Sequence, residues 1–150
     1  MSWDAVVGAT NLLAMVARAG LILLPRKPLV MATALYAGVG ILCLTYAVGL
    51  IGIVSGMIDP VGPNAGLDFG SIESIRAIFA SDGGVVVGWV HYLAFDLFVG
   101  IWIARDADAK GFSRLLQIPI LLAALFAGPL GLGIWLLLRE PAARRSGRFE

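Results

Sequence analysis

The sequence has 150 residues, of which 59% are hydrophobic and only 14% are charged, and its formal net charge is +1. About a quarter of the residues of a soluble domain are charged, so this composition predicts an integral membrane protein. The near-neutral charge argues against nucleic acid as a partner, because nucleic-acid binding calls for a basic face or stripe. A chain of this length is most simply one domain, covering 1–150.

The sequence contains one cysteine and one histidine. These counts exclude an intrachain disulfide, a multi-thiolate metal site and a histidine-rich metal site. No phosphate loop, zinc signature or haem-attachment motif is present, so no metal site is predicted and no cofactor is identified. Cys43 lies in an apolar run, which predicts a small buried hydrophobic residue.

Four apolar runs are long enough to cross a bilayer as helices, at about 4–24, 29–55, 85–104 and 115–138. The first run has no Lys or Arg before it and no clear cleavage site after it, so it is interpreted as a retained helix and not as a signal peptide. Its two polar residues are Asn11 and Arg18, and Pro25 follows its end. These runs predict an all-α integral membrane protein with four transmembrane helices.

The second run is rich in glycine. Two pairs of small residues have the four-residue spacing that lets helix backbones approach closely, namely Ala34 with Gly38 and Gly52 with Gly56. Such a face suits either self-association or packing within the bundle, and packing within the bundle is the preferred interpretation.

Between the second and third runs the sequence predicts a loop that contains one short amphipathic helix. The segment 59–66 is full of turn residues. The segment 69–79 then carries four apolar residues on one helical face: Ile72, Ile75, Ile78 and Phe79. Asp68 or Ser71 can cap this helix. A helix of this kind fits the membrane surface.

The last run contains Pro119 and the segment 128–131, Gly-Pro-Leu-Gly, at its middle. A proline inside a helix removes one hydrogen bond, so a kink is expected there. The tail 139–150 is basic and is predicted to be flexible. Cations in the two short loops predict that these loops are cytoplasmic and that both termini lie outside, although the basic tail then falls on the disfavoured side.

Two charged residues within the spans fall at one depth. Pro25 and Arg105 mark the ends of the first and third spans, which run in the same direction in a four-span protein. Arg18 lies seven residues before Pro25, and Asp96 lies nine residues before Arg105. At 1.5 Å per residue their levels agree to about 3 Å. An unpaired charge is expensive at membrane depth, so the sequence predicts an Arg18–Asp96 ion pair, direct or bridged by water. The same calculation of helical rise predicts that Asn11 and His91 lie at one depth in the membrane.

The third run holds most of the candidate site residues. His91 and Asp96 are the candidate acid–base groups, but they lie about 140° apart round a helix and cannot easily contact one small ligand. The candidate ligand-binding residues are Asn11, Trp89, Tyr92, Phe95, Phe98 and Trp102. The polar residues are equally well explained as structural hydrogen-bonding groups between helices, and the aromatic residues as helix packing.

The segment 89–100, together with Trp102, Ile103 and Asp106, resembles the abscisic-acid-deficient-four-like membrane proteins. The resemblance continues at Pro119 and at 128–131, and more weakly at 11–13, 23–26 and 69–79. This family comprises plastid proteins required for neoxanthin formation in plants, together with bacterial and cyanobacterial relatives. Relatives are expected to carry an apolar or aromatic residue near Arg18, so the pair with Asp96 is a departure from the family pattern.

The resemblance implies a carotenoid or another polyisoprenoid as ligand, and an isomerisation of the neoxanthin-synthase type with His91 and Asp96 as proton donor and base. The chain is accordingly expected to be a multi-pass protein of a bacterial inner membrane, and the plastid membrane is the corresponding location for the plant relatives. Two alternatives stay open. One is a non-catalytic pigment- or lipid-binding subunit of a larger membrane complex, and the other is a small oligomeric transporter or channel. Besides the lipid bilayer, the expected partners are therefore other membrane proteins or further copies of the chain.

Overall fold

The computed structural model describes residues 2–59 and 69–146, with side chains up to Arg144. Six helices and no strand occur in these residues, in agreement with the predicted all-α class. They are α1 (Trp3–Leu23), α2 (Pro28–Val54), α3 (Ile72–Ile78), α4 (Asp82–Ala109), α5 (Arg114–Phe126) and α6 (Gly128–Ser146). The predicted turns at 60–66, the alternative cap Asp68 and the residues 147–150 of the tail lie outside the described part of the chain.

Three helices are long and apolar enough to cross a membrane, namely α1, α2 and α4. They agree with the first three predicted spans, and α4 extends beyond the predicted 85–104 at both ends. These helices support a multi-pass membrane protein.

Four helices have a serine N-cap, whose hydroxyl accepts a hydrogen bond from a backbone N–H of the first turn. The four N-cap residues are Ser2, Ser71, Ser81 and Ser113.

The helix α4 is the centre of the bundle. In its most apolar 18 residues 56% are buried, against 28% in α1 and 22% in α2. Its buried residues cover most of its circumference and leave an outer stripe with His91, Phe95 and Phe98 exposed, whereas those of α1 form one stripe at helical spacing: Thr10, Ala14, Arg18 and Leu21. The neighbours α1, α2, α5 and α6 therefore all pack against α4, and side chains that project from it reach every part of the bundle.

The small-residue pairs of α2 are used within the chain. The segment Ala34–Val39 has π-helical hydrogen bonding. A Cβ at Gly38 would lie 2.9 Å from Leu97 Cδ2, and a Cβ at Gly52 would lie 2.6 Å from Ile58 Cδ1. Gly38 thus permits close packing on α4 inside the bundle, as the sequence favoured, whereas Gly52 makes room for Ile58 in the segment after α2, and Gly56 lies beyond the end of the helix with φ 71°. The prediction for Cys43 was wrong, because its side chain is exposed on the outer face of α2.

The predicted fourth span is replaced by two helices. Ala127 leaves the helical region with φ −153° and ψ 82°, so the run is interrupted and not merely kinked. The chain then reverses: a Cβ at Gly131 would overlap the backbone of Ala124, which shows how tightly α6 packs on α5. The prediction of one continuous helix over 115–138 is therefore wrong, because a run of this length can also fold back as two half-length helices.

Three contacts define the direction of the α5–α6 hairpin. The side chain of Arg114, at the start of α5, donates to the carbonyl of Leu24 at the end of α1. The hairpin tip meets the middle of α4, where the Tyr92 hydroxyl donates to the carbonyl of Phe126. Arg139 of α6 then bonds Asp106 near the end of α4. Both legs of the hairpin thus point to the end of the bundle that holds the α1–α2 and α4–α5 connections, called here the turn end.

The direction of the hairpin also determines where the predicted tail lies. The helix α6 continues to Ser146, so the part of the predicted flexible tail from 139 to 146 is helical. It also lies at the turn end and not at the opposite end, which holds Ser2, Asp59 and α3 and is called here the loop end. The expectation that both chain termini lie on the same side depended on four crossings, and the hairpin removes the fourth.

Candidate functional site

A buried pair of opposite charges lies at the middle of the bundle. Arg18 of α1 and Asp96 of α4 are the two residues that depth matching selected, and Arg18 Nη2 lies 3.8 Å from Asp96 Oδ2. Their side chains are 10% and 6% exposed. The Nε and Nη2 atoms of Arg18 and the Oδ2 atom of Asp96 are buried without a hydrogen-bond partner among the described residues. The pair thus keeps unused hydrogen-bonding capacity in an apolar environment.

The hairpin tip lies directly against the Asp96 carboxylate. The space that a Cβ of residue 128 would occupy is filled by Asp96 Oδ1, so only glycine fits at the start of α6. The backbone N–H of Gly128 and the hydroxyl of Tyr92 also lie beside this carboxylate. The N-terminal end of a helix carries partial positive charge, so α6 directs a favourable dipole at Asp96.

Tyr92 connects the carboxylate with the free end of α5. Its hydroxyl donates a 2.8 Å hydrogen bond to the carbonyl of Phe126, one of the carbonyls that a helix end leaves without a partner. Irregular backbone at membrane depth is tolerated only where protein groups or a cavity satisfy it. Tyr92 and Asp96 together meet this requirement at the tip of the hairpin.

The same polar face continues towards the loop end. The Trp89 indole stacks on Tyr92, with ring centroids 5.3 Å apart, and its Nε1 donates a 2.8 Å hydrogen bond to Asn11 Oδ1. The structure thus brings together five of the candidate residues in one column between α1 and the hairpin, called here the polar column: Asn11, Arg18, Trp89, Tyr92 and Asp96. Asn11 pairs with Trp89 and not with His91, its neighbour in depth.

The part of the polar column nearest the turn end, formed by Arg18 and Asp96, borders a very small cavity. Its volume is about 10 Å³, and Arg18, Asp96, Gly100 and Leu121 are among its lining residues. A cavity of this size has room for about one water molecule, which would need polar partners such as the Arg18 and Asp96 atoms described above. The site around Asp96 is thus tightly packed.

The other candidate residues face elsewhere. His91 is exposed on the outer surface of α4, where its ring stacks on Phe95 at 4.6 Å and meets Tyr46 of α2 at 5.3 Å. Phe98 is 48% exposed, and Trp102 lies under the Arg139 guanidinium at the turn end. The structure therefore does not bring His91 and Asp96 together, as their angular separation round the helix had indicated.

A large apolar cleft lies on the opposite side of α1 from the polar column. Its volume is about 490 Å³, within the range of small-molecule pockets. It is formed by the first turns of α1, the second half of α2 and the first half of α4. The lining residues are Trp3, Val6, Leu44, Thr45, Val48, Gly49, Ile58, Val86, Val87 and Val90. Leu44 and Val48 are exposed on the outer surface, so the cleft opens towards lipid.

A second buried carboxylate, Asp106, belongs to the segment that resembles the family but was not among the candidate site residues. Asp106 accepts hydrogen bonds from Lys110 Nζ at 2.6 Å, Trp135 Nε1 at 2.9 Å, and Arg139 Nε and Nη2 at 2.7 and 3.1 Å. The i, i+4 spacing of Asp106 and Lys110 was visible in the sequence, but the contacts with α6 depend on the hairpin. Beside it, Arg26 bonds Gln117, Asp108 and the carbonyl of Ala104. These contacts tie the turn end together.

No group of three or more His, Cys, Asp or Glu residues that would suit a metal ion is found among residues 2–59 and 69–146. The polar column itself offers a carboxylate, a phenol, a guanidinium and backbone N–H groups.

The chain was compared with known proteins. No curated protein and no solved structure gave a significant match. The family described as ABA DEFICIENT 4-like matches residues 6–135, which run from α1 to the middle of α6 and include the polar column, the hairpin tip and Asp106. This family is associated with neoxanthin synthesis in plants. Because the match covers well over half of its length, the chain belongs to the ABA DEFICIENT 4-like family.

Proposed function

We propose that this protein acts in the metabolism of a carotenoid or a similar polyisoprenoid, as an isomerase that takes its substrate from the bilayer. The observation that carries the proposal is the buried Asp96, held at mid-span between Arg18, Tyr92 and the start of α6. Ionisable residues within membrane spans are costly and by default mark functional sites. The N-terminal end of α6 lies beside this carboxylate, and membrane transporters likewise direct the N-terminal ends of interrupted helices at anionic groups near the bilayer midplane.

The proposed reaction needs a base and a proton donor close together. In the isomerisation that the family suggests, an epoxide C–O bond opens, the oxygen gains a proton, and a neighbouring carbon loses one to give an allene. Asp96 is the proposed base at carbon and Tyr92 the proposed donor at oxygen. Asp96 then returns the proton to Tyr92, so no proton is gained or lost overall. Arg18 and the Gly128 N–H hold the carboxylate in place.

His91 is not assigned an acid–base role in this proposal. Its exposed ring, stacked on Phe95, lies on the lipid-facing side of α4 and away from Asp96. We therefore assign the reacting atoms to Asp96 and Tyr92, and leave to His91, Phe95 and Phe98 a role in contacting a long ligand along the outer surface. This division makes different predictions for the two acid–base candidates.

The test is product formation in a host that makes an epoxy-carotenoid, followed by chromatography and mass spectrometry of the pigments. Asp96→Asn is expected to abolish the product, Tyr92→Phe to reduce it strongly, and His91→Gln to leave most of it. Gly133→Ala is the matched control, because a Cβ at Gly133 meets no atom within 4 Å. Product formation that survives Asp96→Asn would make the catalytic assignment wrong.

A second function is favoured by a different observation, the apolar cleft of about 490 Å³. A non-catalytic subunit that binds a pigment or lipid would use such a cleft, since it offers apolar lining and one hydroxyl, Thr45, which already bonds the carbonyl of Ile41. The variant Val48→Trp fills the mouth of the cleft, and Ile41→Trp adds the same side chain to an exposed position of α2 outside it. Loss of co-purifying pigment in the first variant alone, with no product from the wild-type chain, would favour the binding subunit.

A transporter or channel has less support. Such a protein needs a polar path through its own bundle or between copies, and the buried polar residues of the described chain are Thr10, Arg18, Asp96, Asp106 and Gln117. Asp106 and Gln117 are occupied by contacts at the turn end, and the cavity beside Arg18 and Asp96 holds only about 10 Å³.

A further inference from the structure

The α5–α6 hairpin changes the distribution of charge between the two ends of the bundle. If the run 115–138 crossed the membrane, the basic residues after it would lie opposite the short loops. Because the hairpin turns back at Ala127, Arg139 instead contacts Asp106 at the turn end. The basic residues of the short connections and those of α6 are thus gathered on one side.

The two ends differ in sign. Among the residues whose side chains the structure describes, the turn end holds seven cations against three carboxylates: Arg26, Lys27, Arg105, Lys110, Arg114, Arg139 and Arg144 against Asp106, Asp108 and Glu140. The loop end holds one cation against four carboxylates: Arg76 against Asp4, Asp59, Glu73 and Asp82. A positive excess of this kind beside membrane spans marks the cytoplasmic side.

Two of the cations at the turn end are free to bind a partner. The side chains of Lys27 and Arg105 are exposed and make no ion pair or hydrogen bond within residues 2–59 and 69–146. They belong to one patch, because Arg26 Nη1 bonds the carbonyl of Ala104 at 2.9 Å and so brings the neighbours of both residues together. In contrast, Lys110 and Arg139 are committed to Asp106, and Arg26 to Asp108.

We propose that this patch binds the headgroups of anionic phospholipids in the cytoplasmic leaflet, with Lys27 and Arg105 as the contacting cations. The charge complementarity supports the assignment, since the cytoplasmic leaflet is negative and attracts basic residues at the ends of spans. The patch also lies where headgroups are found, immediately beyond the ends of α1 and α4. The chain is then oriented with Ser2 outside and the end of α6 in the cytoplasm, independently of any enzymatic activity.

Lipid binding is tested with the full-length protein in nanodiscs or mixed micelles, by fluorescence quenching with brominated phosphatidylglycerol against brominated phosphatidylcholine. Each cation near the surface is expected to contribute about fivefold in affinity, so Lys27→Gln with Arg105→Gln should weaken phosphatidylglycerol binding by about 25-fold. The matched control Arg76→Gln removes an exposed cation from α3 at the loop end and should change nothing. Equal preference for the two lipids, or unchanged affinity in the double variant, overturns the proposal.

Orientation is tested in the native membrane by labelling single cysteines from outside intact cells. In a Cys43→Ala background, Ser2→Cys is expected to react with an impermeant maleimide, and Ser146→Cys is expected to react only after lysis. Labelling of both positions from outside would restore four crossings and overturn the assignment of the basic end to the cytoplasm. A variant that does not accumulate is identified by immunoblot, and Arg76→Cys then serves as the second reporter for the outer side.

Discussion

Asp96 and Asp106 both extend from α4 to α6, about 15 Å apart along the axis of α4, and differ in how completely they are hydrogen-bonded. Asp106 receives hydrogen bonds on both oxygens from Lys110, Trp135 and Arg139. Asp96 Oδ2 has no hydrogen-bond partner among the described residues, and its nearest cation is 3.8 Å away. A fully bonded carboxylate holds helices together, whereas one with unused capacity is available to a ligand or a proton.

The two carboxylates also hold different parts of one hairpin. Asp96 contacts its tip at Gly128, and Asp106 contacts the far part of α6 at Trp135 and Arg139. This contrast fits our proposal that Asp106 mainly stabilises the bundle and that Asp96 mainly serves the function. Four variants test this difference between the two carboxylates, and they are given from the largest expected effect to the smallest.

Asp106→Asn should be the most destabilising change. It leaves Lys110 and Arg139 without their shared counter-charge, and breaking a buried ion pair costs about 3–5 kcal/mol. Thermal unfolding in detergent is the measurement, with Asp96→Asn as the partner variant. The larger loss should belong to Asp106→Asn, and the reverse order would contradict the division of roles.

Gly128→Ala should have the next largest effect. The added methyl group would occupy the position of Asp96 Oδ1, and overpacking of this kind costs about 1–3 kcal/mol. Gly133→Ala adds the same group to the same helix in open space and should be neutral or slightly stabilising. Equal unfolding temperatures for the two variants would mean that the hairpin tip does not rest on Asp96.

Tyr92→Phe should cost about 1 kcal/mol, because it removes one hydrogen bond and leaves the carbonyl of Phe126 unsatisfied. Its effect on product formation should be much larger than its effect on unfolding if Tyr92 supplies a proton. A parallel loss of stability and product would point to a structural role alone.

The smallest effect on stability is expected from replacing both charges, as Arg18→Met with Asp96→Leu. Replacement of a buried ion pair by apolar residues of similar volume is often neutral or stabilising. The double variant should unfold near the wild-type temperature and form no product. If it unfolds as readily as Asp106→Asn, the Arg18–Asp96 pair is a structural tie and the contrast between the two carboxylates fails.

Much of this architecture was predictable from the sequence. The bounds of α1 and α2 follow from apolar runs that end at Pro25 and at the turn residues after Ser55, whereas α4 begins before its apolar run and continues past Ala104 through Arg105 and Asp106. The depth match between Arg18 and Asp96 follows from the constant rise of a helix, which converts residue number into height. The Ser71 cap and the short helix after it follow from local hydrogen bonding and periodicity. Each of these features depends on residues close together in the chain.

The tertiary structure alone decided how these pieces combine. An apolar run of about 24 residues can cross a membrane once or fold back as two short helices, and its composition is the same in both cases. The choice depends on distant partners: Tyr92 and Asp96 at the tip, and Leu24 and Asp106 at the ends of the legs. That choice in turn decided the pairing of Asp106, the side of the basic residues and the position of the last helix, because all three depend on where the chain reverses.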